Sequence, residues 1–177
     1  MCPHCEGLAP AYHRAKTLTL FKGPVRALLL ELKYHQGTFV WEDLEAIIAE
    51  NKAVLEFVRG AILVPVPLHS RKERERGFNQ SRLLADLISG VAGEETGLAD
   101  LLERTVDSES QTAYDRRLRR QRMKNAFAPR KGAAITASDR FVLVDDVFTT
   151  GSTLNACALA LRRAGCMNLD VITFAHG

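Results

Sequence analysis

No apolar run in the chain approaches the roughly 18 residues that a membrane span needs. Lys22, Pro24 and Arg26 interrupt the one early candidate. The start of the sequence also lacks a charged region followed by an apolar stretch, so the expectation is a cytoplasmic protein without a signal peptide. Cysteine is scarce: the four present fall as a Cys2-Pro3-His4-Cys5 pair and two singles, Cys157 and Cys166. That is a poor disulfide framework and agrees with a reducing compartment. Excess charge is small as well, 24 basic residues against 21 acidic, and the net of +3 does not by itself declare a nucleic-acid partner. Internal repeats and low-complexity tracts are missing. What remains is ordinary for a soluble domain, with 46% hydrophobic and 25% charged residues in a length of 177 that can bury a core without staples.

The patterning is that of alternating helices and buried strands. Residues 1 to 22 are irregular, whereas Val25, Leu28, Leu29 and Leu32 follow helical spacing up to about residue 37. A second helix is predicted over residues 41 to about 58, with Leu44, Ile47, Ile48 and Leu55 inward. Ala61-Ile62-Leu63-Val64 is a continuous apolar run stopped by Pro65-Val66-Pro67, the signature of a buried parallel strand ending in a stiff loop. A charged stretch, SRKERERGFNQ, leads into a helix over about residues 80 to 91. A short strand is expected near residues 101 to 105, and a polar, then basic, segment fills 106 to 131. Strand, loop, helix and strand over 141 to 147, 152 to 164 and 169 to 174 make a βαβ unit. The fold class this predicts is α/β, a parallel sheet flanked by helices on both faces.

Residues 141 to 154, FVLVDDVFTTGSTL, place two adjacent carboxylates at the end of an apolar strand and a hydroxyl-rich loop at the start of a helix. Free N–H groups and the positive end of the helix dipole face whatever that loop surrounds. Thr149, Thr150, Ser152 and Thr153 add hydroxyl donors, and Gly151 lets the backbone curl around an anion. The loop lacks the lysine of a Walker motif. Asp145 and Asp146 would repel a phosphate unless they hold something between, either ribose hydroxyls or a hydrated divalent cation. A sugar phosphate with free hydroxyls answers both halves of the motif. Helix capping alone accounts for Ser and Thr here but not for the paired acids.

VLVDDVFTTGSTL resembles the signature of type I phosphoribosyltransferases, which bind 5-phosphoribosyl-1-pyrophosphate (PRPP). Three further stretches resemble the ComF branch of that superfamily, related to amidophosphoribosyltransferases: VPVPLHSRKERERGFNQS, LLERTVDSESQTAYDRRLRRQRMKNAF and ELKYHQG. The resemblance covers most of the chain from about residue 25 and divides it into an N-terminal segment, 1 to 22, and a phosphoribosyltransferase-like domain, 23 to 177. It implies Asp145 and Asp146 on the ribose, Thr149, Thr150, Gly151, Ser152 and Thr153 around the 5-phosphate, and Mg²⁺ arriving with PRPP. It places Val66, Pro67, Leu68 and His69 at the pyrophosphate, with Arg74, Arg76 and Gln80 as charge-assisted donors; a solvated loop of alternating charge is the competing reading of the arginines.

Residues 111 to 131 hold eight basic side chains against the single acid Asp115. By the resemblance this is a flap over PRPP, with Arg104, Gln111, Arg116 and Arg119 as its candidate residues. A nucleic-acid contact and a solvated polar face are the other readings. Cys2 and Cys5 have the spacing of half a zinc ribbon, which ComF proteins often carry as two pairs, so a Zn²⁺ site is expected only as a partial knuckle. The resemblance implies PRPP as ligand and a role in DNA uptake, with single-stranded DNA and helicase-type competence proteins as partners. It leaves open whether transfer to a nitrogen acceptor survives or the fold only senses PRPP, because no acceptor motif is readable.

Overall fold

The apolar runs of the sequence become the middle of a parallel sheet. The structure, a computed structural model, describes residues 9–34, 40–105 and 126–177. Its elements run β1 (Ala15–Leu20), α1 (Gly23–Tyr34), α2 (Trp41–Glu50), α3 (Lys52–Val58), β2 (Ile62–Pro65), α4 (Ser70–Arg76), α5 (Gln80–Ala92) and β3 (Gly97–Leu98). They continue with β4 (Leu102–Arg104), β5 (Phe127–Pro129), β6 (Arg140–Phe148), α6 (Ser152–Arg163) and β7 (Asn168–His176). The main sheet has the order β1-β7-β6-β2-β3 with every pairing parallel. β4 and β5 form a separate antiparallel ribbon.

Helices cover both faces, as the unbroken apolar strands require. Phe141 and Leu143 join Leu154, Cys157 and Leu161 of α6 in one core. Val142 and Val144 turn to the other face, where they pack with Leu29 of α1, Leu44 and Ile48 of α2, Val58 of α3 and Leu84 and Ile88 of α5. From β2 the chain crosses towards β3, and from β6 it crosses the opposite way towards β7. The carboxyl ends of β2 and β6 therefore lie side by side, Pro65 opposite Val144, at the point where successive connections diverge. Ligands of open α/β sheets bind at such a crevice. Among the described residues no helix is long and apolar enough to cross a membrane.

β3 and β5 are strands that the sequence reading did not place, β5 within the polar and basic 106 to 131 segment, and three further local features depart from expectation. Residues 15–20, read as irregular, form the edge strand β1 on β7; its Lys and Thr positions leave too few apolar residues for an alternating signal. The helix predicted over 41 to 58 divides at Asn51, whose Oδ1 accepts from the Val54 amide at 3.2 Å while its Nδ2 donates to Leu18 O at 3.3 Å. The charged stretch after the proline loop is helical as α4, although it buries none of its residues. His69 caps it by accepting from the Arg71 amide, Arg71 pairs with Glu75 at 2.9 Å, and Gly77 ends it at φ 83°. A helix with no apolar face gives no periodicity to detect.

Candidate functional site

The site grows from the last residues of β6. Val66 N donates to Val144 O at 2.9 Å, which extends the β2–β6 pairing up to the acid pair and fixes the proline loop beside it. Asp145 Oδ1 accepts from the Ser81 hydroxyl at 2.8 Å and from the Asp146 amide at 3.0 Å. Asp146 Oδ1 accepts from the Val147 amide at 2.8 Å, and its Oδ2 carries the Lys33 ammonium. The two carboxylates are thus oriented by their own backbone and held apart by groups from two helices. Burial, together with the adjacent Asp146 charge, pushes the Asp145 carboxyl up to about 7, and the hydrogen bonds from Ser81 and the Asp146 amide only partly offset this.

That shift has a definite sign in stability. Between about pH 4, where an unfolded aspartate ionises, and about pH 7, the folded chain keeps a proton on Asp145 that the unfolded chain has released. This group's contribution is full below the unfolded value and is lost as pH rises to about 7. Asp145→Asn should therefore unfold at a higher temperature than the parent at pH 8 in the absence of ligand, with the gap closing towards pH 4. Thermal unfolding at both pH values checks it; a gap independent of pH would refute the assignment.

After the acid pair the chain turns through Phe148 and the Thr149–Thr150 bend into α6. Gly151 stands at the N-cap with φ 68° and supplies no side chain to cap the helix. The Thr150 hydroxyl donates to Ser152 Oγ at 3.0 Å and accepts weakly from the Ser152 amide at 3.4 Å. Thr149, Thr150 and Ser152 are exposed. Apart from that weak Thr150 contact to the Ser152 amide, the start of α6 presents N–H groups that its N-cap residue leaves uncapped, as an anion cradle requires.

The proline loop and the start of α5 close the other side. Val66 and Pro67 are buried, Leu68 and His69 half-buried. Asn79 ties the two together, its Nδ2 donating to Val66 O and its Oδ1 capping α5 at the Ser81 amide, both at 3.0 Å. Gln80 is 2% exposed and accepts from the Arg76 guanidinium at 3.0 Å, while its Nε2 has no hydrogen-bond partner among the described residues. Thr173, in register with Asp145 on β7, likewise has a buried hydroxyl without a hydrogen-bond partner among those residues. Arg76 also lies over the Tyr34 ring, 5.7 Å from its centroid.

The predicted residues therefore separate into groups. Asp145, Asp146, the loop from Thr149 to Thr153, Val66 to His69, Arg76 and Gln80 belong to elements that meet at the carboxyl end of the sheet. Arg74 is exposed on α4 and takes part in none of these contacts. Arg104 ends β4, its guanidinium 5.4 Å from the Phe127 ring centroid of β5, so it sits at the root of the basic segment. Gln111, Arg116, Arg119, Cys2 and Cys5 lie outside the described residues. Among the described residues no group of three or more His, Cys, Asp or Glu side chains is placed to hold a metal. Sequence reasoning gave no role to Ser81, the donor to Asp145, or to Lys33, although both lie in stretches that carry the family resemblance, VPVPLHSRKERERGFNQS and ELKYHQG.

These features define an α/β protein with a carboxylate pair beside an anion-accepting helix start at the divergence of its sheet. No family model matches the chain. It is 30% identical over 177 residues to DNA utilization protein YhgH of Escherichia coli O157:H7, covering 96% of this chain and 75% of that one. It is 26% identical over 174 residues to competence protein F of Haemophilus influenzae, covering 96% and 76%. Competence protein ComFC of Bacillus subtilis matches at 31% over 104 residues, 59% of this chain and 39% of that one. Among solved structures, a hypoxanthine phosphoribosyltransferase from Staphylococcus aureus aligns at a TM-score of 0.45 and 16% identity, over 75% of this chain and 62% of that one. The chain belongs to the ComF family, with competence protein F and YhgH.

Proposed function

We propose that the protein binds Mg²⁺-PRPP at the carboxyl ends of β2 and β6 and serves DNA uptake as a phosphoribosyltransferase-like protein. The observation that carries this is the acid pair set directly before the uncapped start of α6. A ribose diol suits the carboxylates and a 5-phosphate suits the helix start, and PRPP carries both groups in one molecule. The described residues offer only two carboxylates here, so Mg²⁺ enters as part of the substrate, on the diphosphate.

In the transfer reaction a nitrogen lone pair attacks C1 of the ribose. The bond from C1 to the diphosphate oxygen breaks, its electron pair leaves with pyrophosphate, and the nitrogen sheds its proton to water. The chain's own part is to position the ring and to support the positive charge that develops on it, through Asp145 and Asp146. The relatives' names, a competence protein and a DNA utilization protein, favour a second reading in which the same site only binds PRPP within a DNA-handling complex. The full chain incubated with Mg²⁺-PRPP and a series of amines and nucleobases separates the two. Pyrophosphate release with one acceptor supports transfer; saturable PRPP binding with no release across the series supports the binding module. No binding at all overturns both.

A further inference from the structure

The hydrogen bonds of the acid pair leave an unequal supply of oxygens. Asp145 Oδ1 and Asp146 Oδ1 are used by Ser81 and by backbone amides. Asp145 Oδ2 takes no hydrogen bond among the described residues, whereas Asp146 Oδ2 is covered by Lys33. A ring diol brings two hydroxyls, and each can donate one hydrogen bond while accepting others. One hydroxyl has an open acceptor in Asp145 Oδ2. The other reaches Asp146 Oδ2 only by entering between the carboxylate and the ammonium.

We infer that Lys33 and Asp146 form a donor–acceptor clamp on one ring hydroxyl of the ligand, the hydroxyl donating to Asp146 Oδ2 and accepting from Lys33 Nζ. The inference rests on the phosphoribosyl reading of the site and adds a specificity residue to it. Lys33 is the partner able to give way. Its side chain is 25% exposed against 13% for Asp146, and it reaches the carboxylate from the last turn of α1 on a flexible stem with three donors. Asp146 cannot retreat, because its other oxygen is held by the Val147 amide. In the ligand-free chain the same ammonium is the counter-charge that makes two adjacent carboxylates tolerable.

The end of α1 makes a second contact near the site: the Tyr34 ring lies under Arg76, which donates to Gln80 at the start of α5.

A clamp of this kind discriminates by the hydroxyl itself. A ligand lacking it leaves the Lys33–Asp146 pair closed and gains nothing from either residue. The test is calorimetric titration of the full chain with ribose 5-phosphate and with its 2-deoxy and 3-deoxy analogues. It compares the parent, Lys33→Met, Lys33→Gln and Lys33→Arg, each checked for folding by thermal unfolding. A hydrogen bond to a charged group sets the expected scale at about 10-fold or more. The parent should bind one deoxy analogue about 10-fold more weakly than ribose 5-phosphate. Lys33→Met and Lys33→Gln should lose that factor for ribose 5-phosphate and lose little more for that analogue, and Lys33→Arg should recover part of it.

Equal weakening towards all three sugars in the uncharged variants would reduce Lys33 to a general electrostatic aid and overturn the clamp. Unchanged affinity for ribose 5-phosphate would do the same. Both results leave the phosphoribosyl reading standing. A parent protein that binds neither these sugars nor Mg²⁺-PRPP removes that reading and the clamp with it.

Discussion

Changing Asp145 and Asp146 together to asparagine is expected to abolish measurable PRPP binding while the chain stays folded. On the phosphoribosyl reading proposed above, each carboxylate would accept a ribose hydroxyl, and hydrogen bonds to charged groups contribute on the order of 1.5–3 kcal/mol each. Losing two corresponds to roughly 10²–10⁴ in affinity. Asparagine keeps an acceptor oxygen, so the backbone amides of Asp146 and Val147 and the Ser81 hydroxyl retain a partner. What it adds is an amide donor facing a hydroxyl, and what it removes is the charge opposing Lys33. Titration of Mg²⁺-PRPP into the double variant reads the result directly. Affinity equal to the parent's would place the ligand elsewhere on the protein.

The fold should survive because the acid pair is not what holds it. Asp145 sits in the folded chain with its carboxyl pushed up to about 7, a state unfavourable to the ligand-free protein at neutral pH. Strain of this kind, kept at a binding site, is expected where selection has favoured a ligand over stability. The double variant therefore offers two opposite readings in one sample, lost binding and undiminished melting temperature. A merely disruptive substitution would lose both.

How much of this was legible in the sequence depends on where the signal comes from. The strand ends were legible because Phe141 to Val144 and Ala61 to Val64 are unbroken apolar runs, and Asp145 and Pro65 interrupt them abruptly. Gly151 was legible because the bend into α6 needs a left-handed residue there, and its φ is 68°. Lys33 and Ser81 were not legible as site residues. Each is one of several polar residues on an amphipathic helix, and its meaning comes from a partner more than sixty or a hundred positions away, Asp145 for Ser81 and Asp146 for Lys33. Helical spacing says which face a residue occupies; it carries nothing about what another element brings to that face. The edge strand β1 escaped for a related reason, since its order comes from pairing with β7 at the far end of the chain.

Asp170→Asn should destabilise the protein by about 2 kcal/mol, the scale of hydrogen bonds to a charged group, since the Asp170 side chain is 5% exposed while that of Arg14 is 62% exposed and left able to hydrate. That corresponds to a fall of roughly 4–8 °C in Tm for a chain of this size. Asp170 lies on β7 opposite Val142 and is 3% exposed. Arg14 holds it with two bonds, Nε to Oδ1 at 3.1 Å and Nη2 to Oδ2 at 2.6 Å. Arg140 adds contacts at 3.2 Å to Oδ2 and donates to the carbonyls of Phe57 and Arg59. Both guanidiniums lie near the Phe57 ring, at 4.9 and 5.5 Å from its centroid. One carboxylate thus ties β1, β6, β7 and the end of α3 together.

Burial acts to raise the Asp170 carboxyl, and the hydrogen bonds and charges of the two arginines overcome it and hold the group below its usual value. Its contribution is therefore present above the ordinary carboxylate range and lost as pH falls through its lowered folded value, the opposite of Asp145. Asp170→Asn should accordingly narrow the gap to the parent in acid, while Asp145→Asn widens its own gap towards alkali. Thermal unfolding from pH 3 to pH 8 distinguishes the two, and a pH-independent loss for Asp170→Asn would mean that packing, not charge, is what the residue supplies. The separation follows from the sheet itself: the pairs Val142–Asp170 and Asp145–Thr173 stand three residues apart in the same β6–β7 register. The same two strands thus carry a carboxylate held by two arginines near their amino ends and, towards their carboxyl ends, one held among the described residues by a hydroxyl and an amide alone.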